Sequence, residues 1–343
     1  MPPSPLDQVT SCWALSPPVT ISSLATGMNN ESFLVTTGAG SYVLKSIRNT
    51  GMMERLRFEH ALLEVLSRHD LPFSVPAPVR TRTGETIATL DCGTPAVLTR
   101  LLPGEPAWRG DRGIARISGR ALAMLDSALE GVVLDPAVRV PIAFEELSRA
   151  HPAIADPATA TSDLLADPVQ TAAVNSVLAR AEWEWTQQSA GAPKQIIHGD
   201  FFPPNVLVED GRVSAVLDFE FAGMGQRAMD LAVGLVAFGA ANRSDLPTWE
   251  LLASFATGYL EGLPLSRREV ECLPSLILMR EASSFVHWLG RTTLGLTSQD
   301  EMRARAHRLL ALDRWLERLG PELVERLERI NSMSLGNTHT PSD

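Results

Sequence analysis

The 343-residue sequence predicts an α+β fold with two lobes of unequal size. Short apolar stretches separated by turn-forming residues fill residues 19–101, which predicts a small N-terminal lobe made of an antiparallel β-sheet and one helix. Residues 102–330 mainly carry the apolar period of amphipathic helices, which predicts a larger, mainly α-helical C-terminal lobe. The proline-rich residues 1–18 are expected to form a flexible arm, and residues 331–343 a disordered tail.

The small lobe begins with three predicted strands, at residues 19–24, 32–37 and 41–45. The turn at residues 38–40 has two glycines and is short enough for a hairpin, so the second and third strands should pair antiparallel. Lys45, the only lysine in this lobe, lies at the end of the third strand. A lysine on a strand is usually only exposed to solvent, so a functional role for Lys45 depends on the motifs that follow in the chain.

A helix is predicted over residues 55–68, because its leucines recur with a helical period. Glu59 and Glu64 both lie on this helix, and either could face Lys45. Glutamates on a helix are exposed to solvent far more often than they have a functional role.

The boundary between the lobes is predicted just after the strand at residues 96–102, because Pro103-Gly104-Glu105-Pro106 breaks both helix and strand. Further helices are predicted at residues 114–129, 164–181 and 251–260. Residues 135–168 are rich in proline, alanine and aspartate, which indicates an insertion of unknown role between helices.

Net charge, cysteine spacing and the length of apolar runs exclude several classes of function. The formal charge of −10 argues against a nucleic-acid partner, because phosphate backbones need basic surfaces. The three cysteines are far apart in the chain and fit neither a disulfide framework nor a zinc site, which favours a reducing cytoplasm. The longest apolar run, at residues 231–241, is too short to span a bilayer. We therefore expect a soluble cytoplasmic protein without a membrane partner, and no pattern predicts its oligomeric state.

A polar motif in the large lobe carries the chemistry. An apolar run leads into His198-Gly199-Asp200, Asn205 lies five residues after the aspartate, and a second apolar run ends at Asp218. This spacing, followed by an Asp-Phe pair at the end of a strand, is typical of a kinase catalytic loop. In that chemistry Asp200 orients or accepts the proton of the attacking hydroxyl. Asn205 and Asp218 supply the hard oxygen ligands that hold Mg²⁺ against the nucleotide phosphates.

These residues resemble the aminoglycoside phosphotransferase and homoserine kinase superfamily, whose signature is His-Gly/Ala-Asp-x-x-x-x-Asn-x-Leu followed by Asp-Phe-Glu. The resemblance covers residues 19–320 and implies a two-lobed, protein-kinase-like fold. It also implies that the γ-phosphoryl group of ATP, with Mg²⁺, is transferred to the hydroxyl of a small molecule. At two positions the sequence matches the wider superfamily better than it matches homoserine kinases. Those kinases usually have alanine where this sequence has Gly199, and tyrosine where it has Glu220.

The resemblance implies roles for residues of the small lobe. Lys45 would hold the α- and β-phosphates, and Glu59 rather than Glu64 fits the Glu-x-x-x-Leu-x-x-Leu pattern of its partner. The turn between the first two strands, with Asn29 and Asn30, looks like the Gly-x-x-Asn-x-x-Phe pattern that lies over the phosphates in homoserine kinases.

Three further positions are interpreted through the same resemblance. His198 would be a buried scaffold residue that hydrogen-bonds its own loop. Asp230 lies in a Gly-x-x-x-x-Asp-Leu-Ala pattern and would brace that loop, with helix capping as the alternative. Asp126 stands near the end of a helix that many relatives finish with Leu-x-x-Leu-His.

The C-terminal third bears on the acceptor. Residues 258–291 resemble a segment of bacterial homoserine kinases that has, in order, Gly-Tyr, Pro-Leu-Ser, Leu-Pro and Arg-x-Ala-x-x-Phe-x-x-x-Arg. Arg280, Trp288 and Arg291 are therefore candidates to face the acceptor, since arginine pairs well with a carboxylate. The alternative is that these arginines lie at the surface.

Three functions remain open. The first is a kinase for homoserine or another small hydroxylated metabolite. The second is an aminoglycoside or aminocyclitol phosphotransferase, which predicts an acidic acceptor pocket and has Glu261, Glu281 and the negative net charge as support. The third is a nucleotide-binding pseudokinase, which is disfavoured because the lysine, aspartates and asparagine of the kinase motifs are all present. The sequence does not predict whether ATP or GTP is preferred.

Overall fold

The computed structural model describes residues 5–24, 31–47, 53–90, 93–144, 146–188, 191–242 and 244–337. A small β-sheet lobe precedes a larger helical lobe, which confirms the predicted fold class. The chain passes from the sheet to the helical lobe between residues 100 and 105. A boundary between lobes at residues 19–101 and 102–330 remains our proposal.

The small lobe is built on one antiparallel sheet with the strand order β1-β2-β3-β5-β4. Its strands are β1 (Thr20–Ser23), β2 (Glu31–Thr37), β3 (Gly40–Ser46), β4 (Ala88–Thr89) and β5 (Pro95–Arg100). Lys45 on β3 is opposite Ser32 on one side and Val97 on the other, so a central strand positions it. Helix α2 (Met53–Leu66) follows β3 and packs its apolar side chains into the core of the large lobe.

The N-terminal segment is more ordered than the sequence suggested. Helix α1 (Pro5–Cys12) precedes the sheet, and Val9 and Trp13 are buried in the core of the small lobe. The Trp13 indole Nε1–H donates to the carbonyl oxygen of Val79 at 3.0 Å. The expected flexible arm at residues 1–18 is therefore wrong for residues 5–13. Val9 and Trp13 are four positions apart, so their side chains lie on the same side of this segment and pack into the core of the small lobe.

The large lobe has seven helices among the described residues. They are α3 (Arg112–Glu130), α4 (Pro157–Leu164), α5 (Pro168–Gln188), α6 (Ala228–Phe238), α7 (Trp249–Gly262), α8 (Arg267–Thr293) and α9 (Gln299–Asn337). Two small sheets lie beside them. One has the order β6 (Glu105–Pro106), β8 (Val206–Glu209), β9 (Arg212–Val216), and the other pairs β7 (Lys194–Ile197) with β10 (Gly223–Gln226).

Helices α3 and α7 pack backbone against backbone at two glycines. A Cβ atom on Gly119 would lie 2.1 Å from the carbonyl oxygen of Phe255, and one on Gly258 would lie 2.0 Å from that of Arg116. Only glycine permits this approach without displacing one of the helices. The contact brings Tyr259 of α7 against Asp126 of α3, beneath the loop that follows β7.

The C-terminal residues also differ from the prediction. Helix α9 continues to Asn337, so the expected disordered tail at residues 331–343 is wrong for residues 331–337. Asn331 is buried, and its carboxamide donates to the carbonyl oxygen of Leu265 at 2.7 Å and accepts from its N–H at 3.1 Å. These bonds hold the end of α9 on the loop before α8. None of the helices within the described ranges is long and apolar enough to cross a membrane.

Candidate active site

A cavity of about 990 Å³ is lined by residues of both lobes. Cavities of this size accommodate small-molecule ligands. Six residues predicted from the sequence line it, namely Lys45, Asp200, Asp218, Arg280, Trp288 and Arg291. The structure therefore brings together residues that lie up to about 250 positions apart in the chain. Asn29 and Asn30, predicted to lie over the phosphates, are outside the described residues.

The loop at residues 198–205, here called the catalytic loop, begins where β7 ends. Gly199 adopts φ = +78°, and a Cβ atom there would lie 2.6 Å from the carbonyl oxygen of Phe221. Both facts require glycine, so the alanine usual in homoserine kinases would be strained in this loop. The His198 ring is fully buried: its Nε2–H donates to the carbonyl oxygen of Leu217 at 3.0 Å, and Nδ1 accepts from the Asp200 N–H at 3.2 Å.

Asp230 lies in the first turn of α6, directly behind the catalytic loop. Its carboxylate accepts the N–H of His198 at 2.6 Å and that of Gly199 at 2.7 Å. Asp230 has no exposed surface, so these two bonds are shielded from competing water. They join the backbone of the loop to the most buried helix of the large lobe, and a bracing role for Asp230 is our proposal.

The β8–β9 hairpin explains why Asn205 and Asp218 lie close together. Val206 pairs with Val216, so the residue before β8 and those after β9 are neighbours. The Leu217 N–H donates to the carbonyl oxygen of Asn205 at 2.8 Å. Asp218 follows with φ = +64°, a conformation rare outside glycine and found at functional sites.

Asn205 also contacts Asp200. Its Nδ2 donates to the backbone oxygen of Asp200 at 3.1 Å and to the carboxylate Oδ2 at 3.4 Å. The carboxamide oxygen Oδ1 remains as an acceptor. Together with the Asp218 carboxylate it forms a pair of hard oxygen donors, the type that Mg²⁺ prefers. Within the described ranges no group of three or more His, Cys, Asp or Glu side chains could hold a metal ion.

Lys45 and Glu59 form the electrostatic centre of the small lobe. Burial lowers the pKa of Lys45, but the carboxylates of Asp218, Glu59 and Glu220 outweigh it and raise the pKa above its ordinary value. Burial also raises the pKa of Glu59 to about 7, although Lys45 opposes this shift. Glu64, the rival candidate, instead pairs with Arg80 at 2.5 Å. Glu59 thus interacts electrostatically with Lys45 whereas Glu64 is paired elsewhere, and Glu59 as the functional partner of Lys45 stays a prediction.

A chain of ion pairs begins at Asp200. Its Oδ1 lies 3.1 Å from Nη2 of Arg280, whose Nη1 lies 3.1 Å from Oε1 of Glu281. Arg308 of α9 reaches Oε2 of Glu281 at 3.5 Å. Burial raises the pKa of Asp200, and the Arg280 guanidinium offsets part of that effect. Arg280 therefore faces the cavity and not the surface.

The part of the cavity lined by α8, α9, Glu146 and the 3-10 turn Leu147–Arg149, here called the helical end, is rich in arginine. The guanidinium carbon of Arg305 lies 3.6 Å from the Trp288 ring centroid, and that of Arg291 lies 5.2 Å from it. Beside them burial lowers the pKa of His287 to about 4, so this ring is neutral at pH 7. The charged side chains described here are five arginines, Arg149, Arg280, Arg291, Arg305 and Arg308, and three glutamates, Glu146, Glu281 and Glu301.

Sequence reasoning missed several residues of the cavity. Arg55 of α2 donates to the carbonyl oxygen of Glu220, and its guanidinium lies 5.9 Å from the Phe221 ring centroid. Arg55 lies four positions before Glu59, on the same helix face, so a local signal for it existed. Arg305 and Arg308 had no such signal, because the face of α9 that meets the cavity depends on packing against α8.

Solved structures with the same fold include two kinases. A structure of the amicoumacin kinase hAmiN in complex with AMP-PNP, Ca²⁺ and Ami superimposes with a TM-score of 0.69 at 16% identity, covering 89% of this chain and 92% of that chain. A microcompartment-associated aminopropanol kinase gives 0.70 at 18% identity, covering 94% and 98%. The fold is therefore that of protein-kinase-like phosphotransferases.

Sequence relatives make the assignment more specific. The chain belongs to the APH phosphotransferase enzyme family, whose model matches residues 20–269. The homoserine kinase of Gluconobacter oxydans (strain 621H) is 32% identical over 261 residues, 75% of this chain and 78% of that protein. The homoserine kinase of Methylobacterium sp. (strain 4-46) is 34% identical over 258 residues, 74% of each. The protein is a small-molecule kinase with a hydroxyl acceptor, and its kinase relatives imply the use of ATP.

Proposed function

We propose that this protein uses ATP and Mg²⁺ to phosphorylate the hydroxyl group of a small hydroxylated amino acid, with homoserine as the first candidate. The observation that carries the proposal is the arginine-rich helical end of the cavity beside Asp200. A cytoplasmic location, where ATP and Mg²⁺ are available, is part of the proposal.

The nucleotide would lie between Lys45 and Asp218. Lys45 would bind the α- and β-phosphates, and Glu59 would orient the lysine, because its carboxylate is among those that favour the charged ammonium group. Asp218 and the Oδ1 atom of Asn205 would hold Mg²⁺, which neutralises charge on the phosphate oxygens when bound. The contact of Asn205 Nδ2 with Asp200 keeps the carboxamide oriented for this task.

Asp200 would act on the acceptor. Its carboxylate would accept a hydrogen bond from the acceptor hydroxyl, orient it toward the γ-phosphate and take its proton as the new O–P bond forms and the bond from the γ-phosphorus to the departing ADP oxygen breaks. His198 and Asp230 would keep the carboxylate in place, since both form hydrogen bonds with the loop that carries it. Phosphoryl transfer depends mainly on such positioning and on charge neutralisation.

The charge of the helical end supports an acceptor with an anionic group. Five arginines there face three glutamates and Asp200, which pairs with Arg280, and this leaves an excess of one positive charge. Arginine binds carboxylates with paired N–H donors, so an α-carboxylate suits this end. The homology to homoserine kinases agrees with an amino-acid acceptor.

The same charges disfavour an aminoglycoside. Glu261, one support of that hypothesis, pairs with Arg116 at 2.7 Å and does not line the cavity. Glu281 does line it but is paired with Arg280 and Arg308. A polycationic acceptor would therefore meet arginine where it needs carboxylates.

The test compares acceptors by coupled ADP release. Homoserine should be phosphorylated, while 3-aminopropan-1-ol, which keeps the amine and hydroxyl but lacks the carboxylate, should be poorer by at least about tenfold in kcat/KM. Kanamycin, spectinomycin and choline complete the panel, and Asp200→Asn protein serves as the blank.

Two outcomes would overturn the proposal. If homoserine is inert while kanamycin or spectinomycin is phosphorylated, the aminoglycoside hypothesis replaces it. If 3-aminopropan-1-ol is as good as homoserine, the arginines do not bind an acceptor carboxylate.

A further inference from the structure

Two buried aspartates meet behind the catalytic loop. Asp126 comes from α3 and Asp230 from α6, neither has any exposed surface, and their carboxyl groups are within hydrogen-bonding distance of each other. Two negative charges in contact inside a protein core repel strongly, so such a pair normally retains one proton.

The hydrogen-bond partners show which aspartate carries that proton. Both oxygens of Asp230 accept backbone N–H groups, from His198 and Gly199, and this favours its ionised form. Asp126 Oδ2 accepts the Tyr259 O–H at 2.7 Å. Its Oδ1 is buried, and no N–H or O–H of the described residues reaches it. A proton on Oδ1 would give this atom a partner, because it could donate to Asp230.

We propose that Asp126 is a neutral carboxylic acid that donates its Oδ1–H to Asp230 and thereby holds Asp230 against the backbone of the catalytic loop. Asp126 is then a positioning residue, joined through Asp230 to the backbone N–H of Gly199, the neighbour of Asp200. The inference concerns the kinase site proposed above and extends it to a residue outside the cavity.

The other charged groups nearby support this protonation. Burial raises the pKa of Asp126 well above its ordinary value, and the charge of Asp230 raises it further. Arg227 is the cation that opposes this shift, but its guanidinium makes two bonds, of 2.9 and 2.8 Å, to Glu269. From β7, the Gln195 side-chain Nε2 donates a hydrogen bond of 2.8 Å to the backbone carbonyl oxygen of Asp126, not to its carboxyl group. The hydrogen bond from the Tyr259 O–H favours the ionised form of Asp126. This single bond does not outweigh the cost of burying the negative charge.

The decisive variant is Asp126→Asn. Its amide can donate to Asp230 and accept from Tyr259, so it imitates the neutral acid and should retain kcat within about twofold. Asp126→Ala removes both contacts and should lower kcat at least about tenfold while leaving KM for ATP nearly unchanged. Thermal melts of both variants show whether the alanine protein is folded at the assay temperature. If Asp126→Asn loses as much activity as Asp126→Ala, the carboxyl proton is not a donor to Asp230.

The pH dependence of stability needs no substrate. A carboxyl group protonated only in the folded state binds a proton on folding, so its stabilisation is lost as pH rises above the unfolded pKa toward the folded one. Between pH 5 and 8 the folding equilibrium constant of the wild type should therefore fall relative to Asp126→Asn, by up to about tenfold per pH unit. Asp163→Asn, on the exposed face of α4, is the matched control and should run parallel to the wild type. Parallel curves for Asp126→Asn as well would overturn the proposal.

An infrared spectrum checks the same proton directly. Protein labelled with ¹³C at the aspartate carboxyl carbons should show a protonated carboxyl band at pH 7 that disappears in Asp126→Asn and persists in Asp163→Asn. Its presence in both variants would assign the proton elsewhere. Because neither readout uses an acceptor, failure of this inference is distinguishable from failure of the homoserine proposal.

Discussion

Asp200 and Arg280 form an ion pair of 3.1 Å inside the cavity, although 80 positions separate them in the chain. Arg280 occupies one oxygen of the Asp200 carboxylate, and Asn205 approaches the other. The Asp200 carboxylate is therefore held from two directions, by Asn205 of the catalytic loop and by Arg280 of helix α8. In the function proposed above, the acceptor hydroxyl and the arginine that would bind the acceptor carboxylate meet at this one side chain.

Arg280→Gln should change the pH dependence of the reaction. Arg280 favours the ionised form of Asp200, so its removal raises the pKa of that carboxyl further above its ordinary value. Asp200 must be ionised to accept a proton, and the acid limb of kcat/KM should move to higher pH by about one unit. Arg116→Gln, which breaks an exposed ion pair with Glu261, is the control. An unshifted acid limb would show that Arg280 does not tune Asp200.

Asp200→Asn should abolish turnover without removing the nucleotide. The carboxamide cannot take the hydroxyl proton, so kcat should fall by about 10²–10⁴-fold. Affinity for ATP, measured by calorimetry, should remain within a few-fold of the wild type, since Lys45 and Asp218 are untouched. A variant that turns over at the wild-type rate would refute the role of Asp200.

Asp218→Ala should remove the Mg²⁺-dependent part of ATP binding. The Asp218 carboxylate is the one charged oxygen donor of the proposed Mg²⁺ pair. Calorimetric titration of ATP with Mg²⁺ and with EDTA should then give the same weak affinity for the variant, whereas the wild type should bind more tightly with Mg²⁺. Wild-type affinity in the variant would assign the metal to other ligands.

Glu59→Gln and Glu64→Gln form a matched pair on one helix. Glu59 is buried near Lys45, so loss of its charge should weaken the hold on the lysine and lower kcat/KM for ATP by at least about tenfold. Glu64 pairs with Arg80 away from the cavity and should change kcat/KM less than about twofold. Steady-state kinetics with varied ATP distinguish them, and equal losses would contradict the assignment of Glu59.

Trp13→Ala tests the role of the N-terminal helix in stability. The side chain is fully buried, so truncation should cost about 3–5 kcal/mol of unfolding free energy. Trp108, with 75% of its surface exposed, is the control, and Trp108→Ala should cost less than about 0.5 kcal/mol. Urea denaturation measures both. Equal stability of the two variants would mean that residues 5–13 do not stabilise the fold.

Short-range patterns accounted for most of the fold. The strand and helix positions of the small lobe, the helix that became α3 and the hairpin before Lys45 were predictable, because turn residues and apolar periods act over a few positions. The N-terminal helix was missed because flanking prolines hid a single apolar pair, Val9 and Trp13, whose burial depends on a distant sheet. The tail was missed for a similar reason, since Asn331 is held by Leu265 from another part of the chain.

The sequence by itself determined the spacing of His198, Asp200, Asn205 and Asp218, because a loop and a hairpin close to one another in the chain position all four. Only the tertiary structure decided that Glu64 pairs with Arg80, that Arg280 pairs with Asp200, and that Asp126 lies against Asp230. The last two relationships depend on how helices far apart in the chain pack together. Their electrostatic strength comes from burial, which no local pattern of residues specifies.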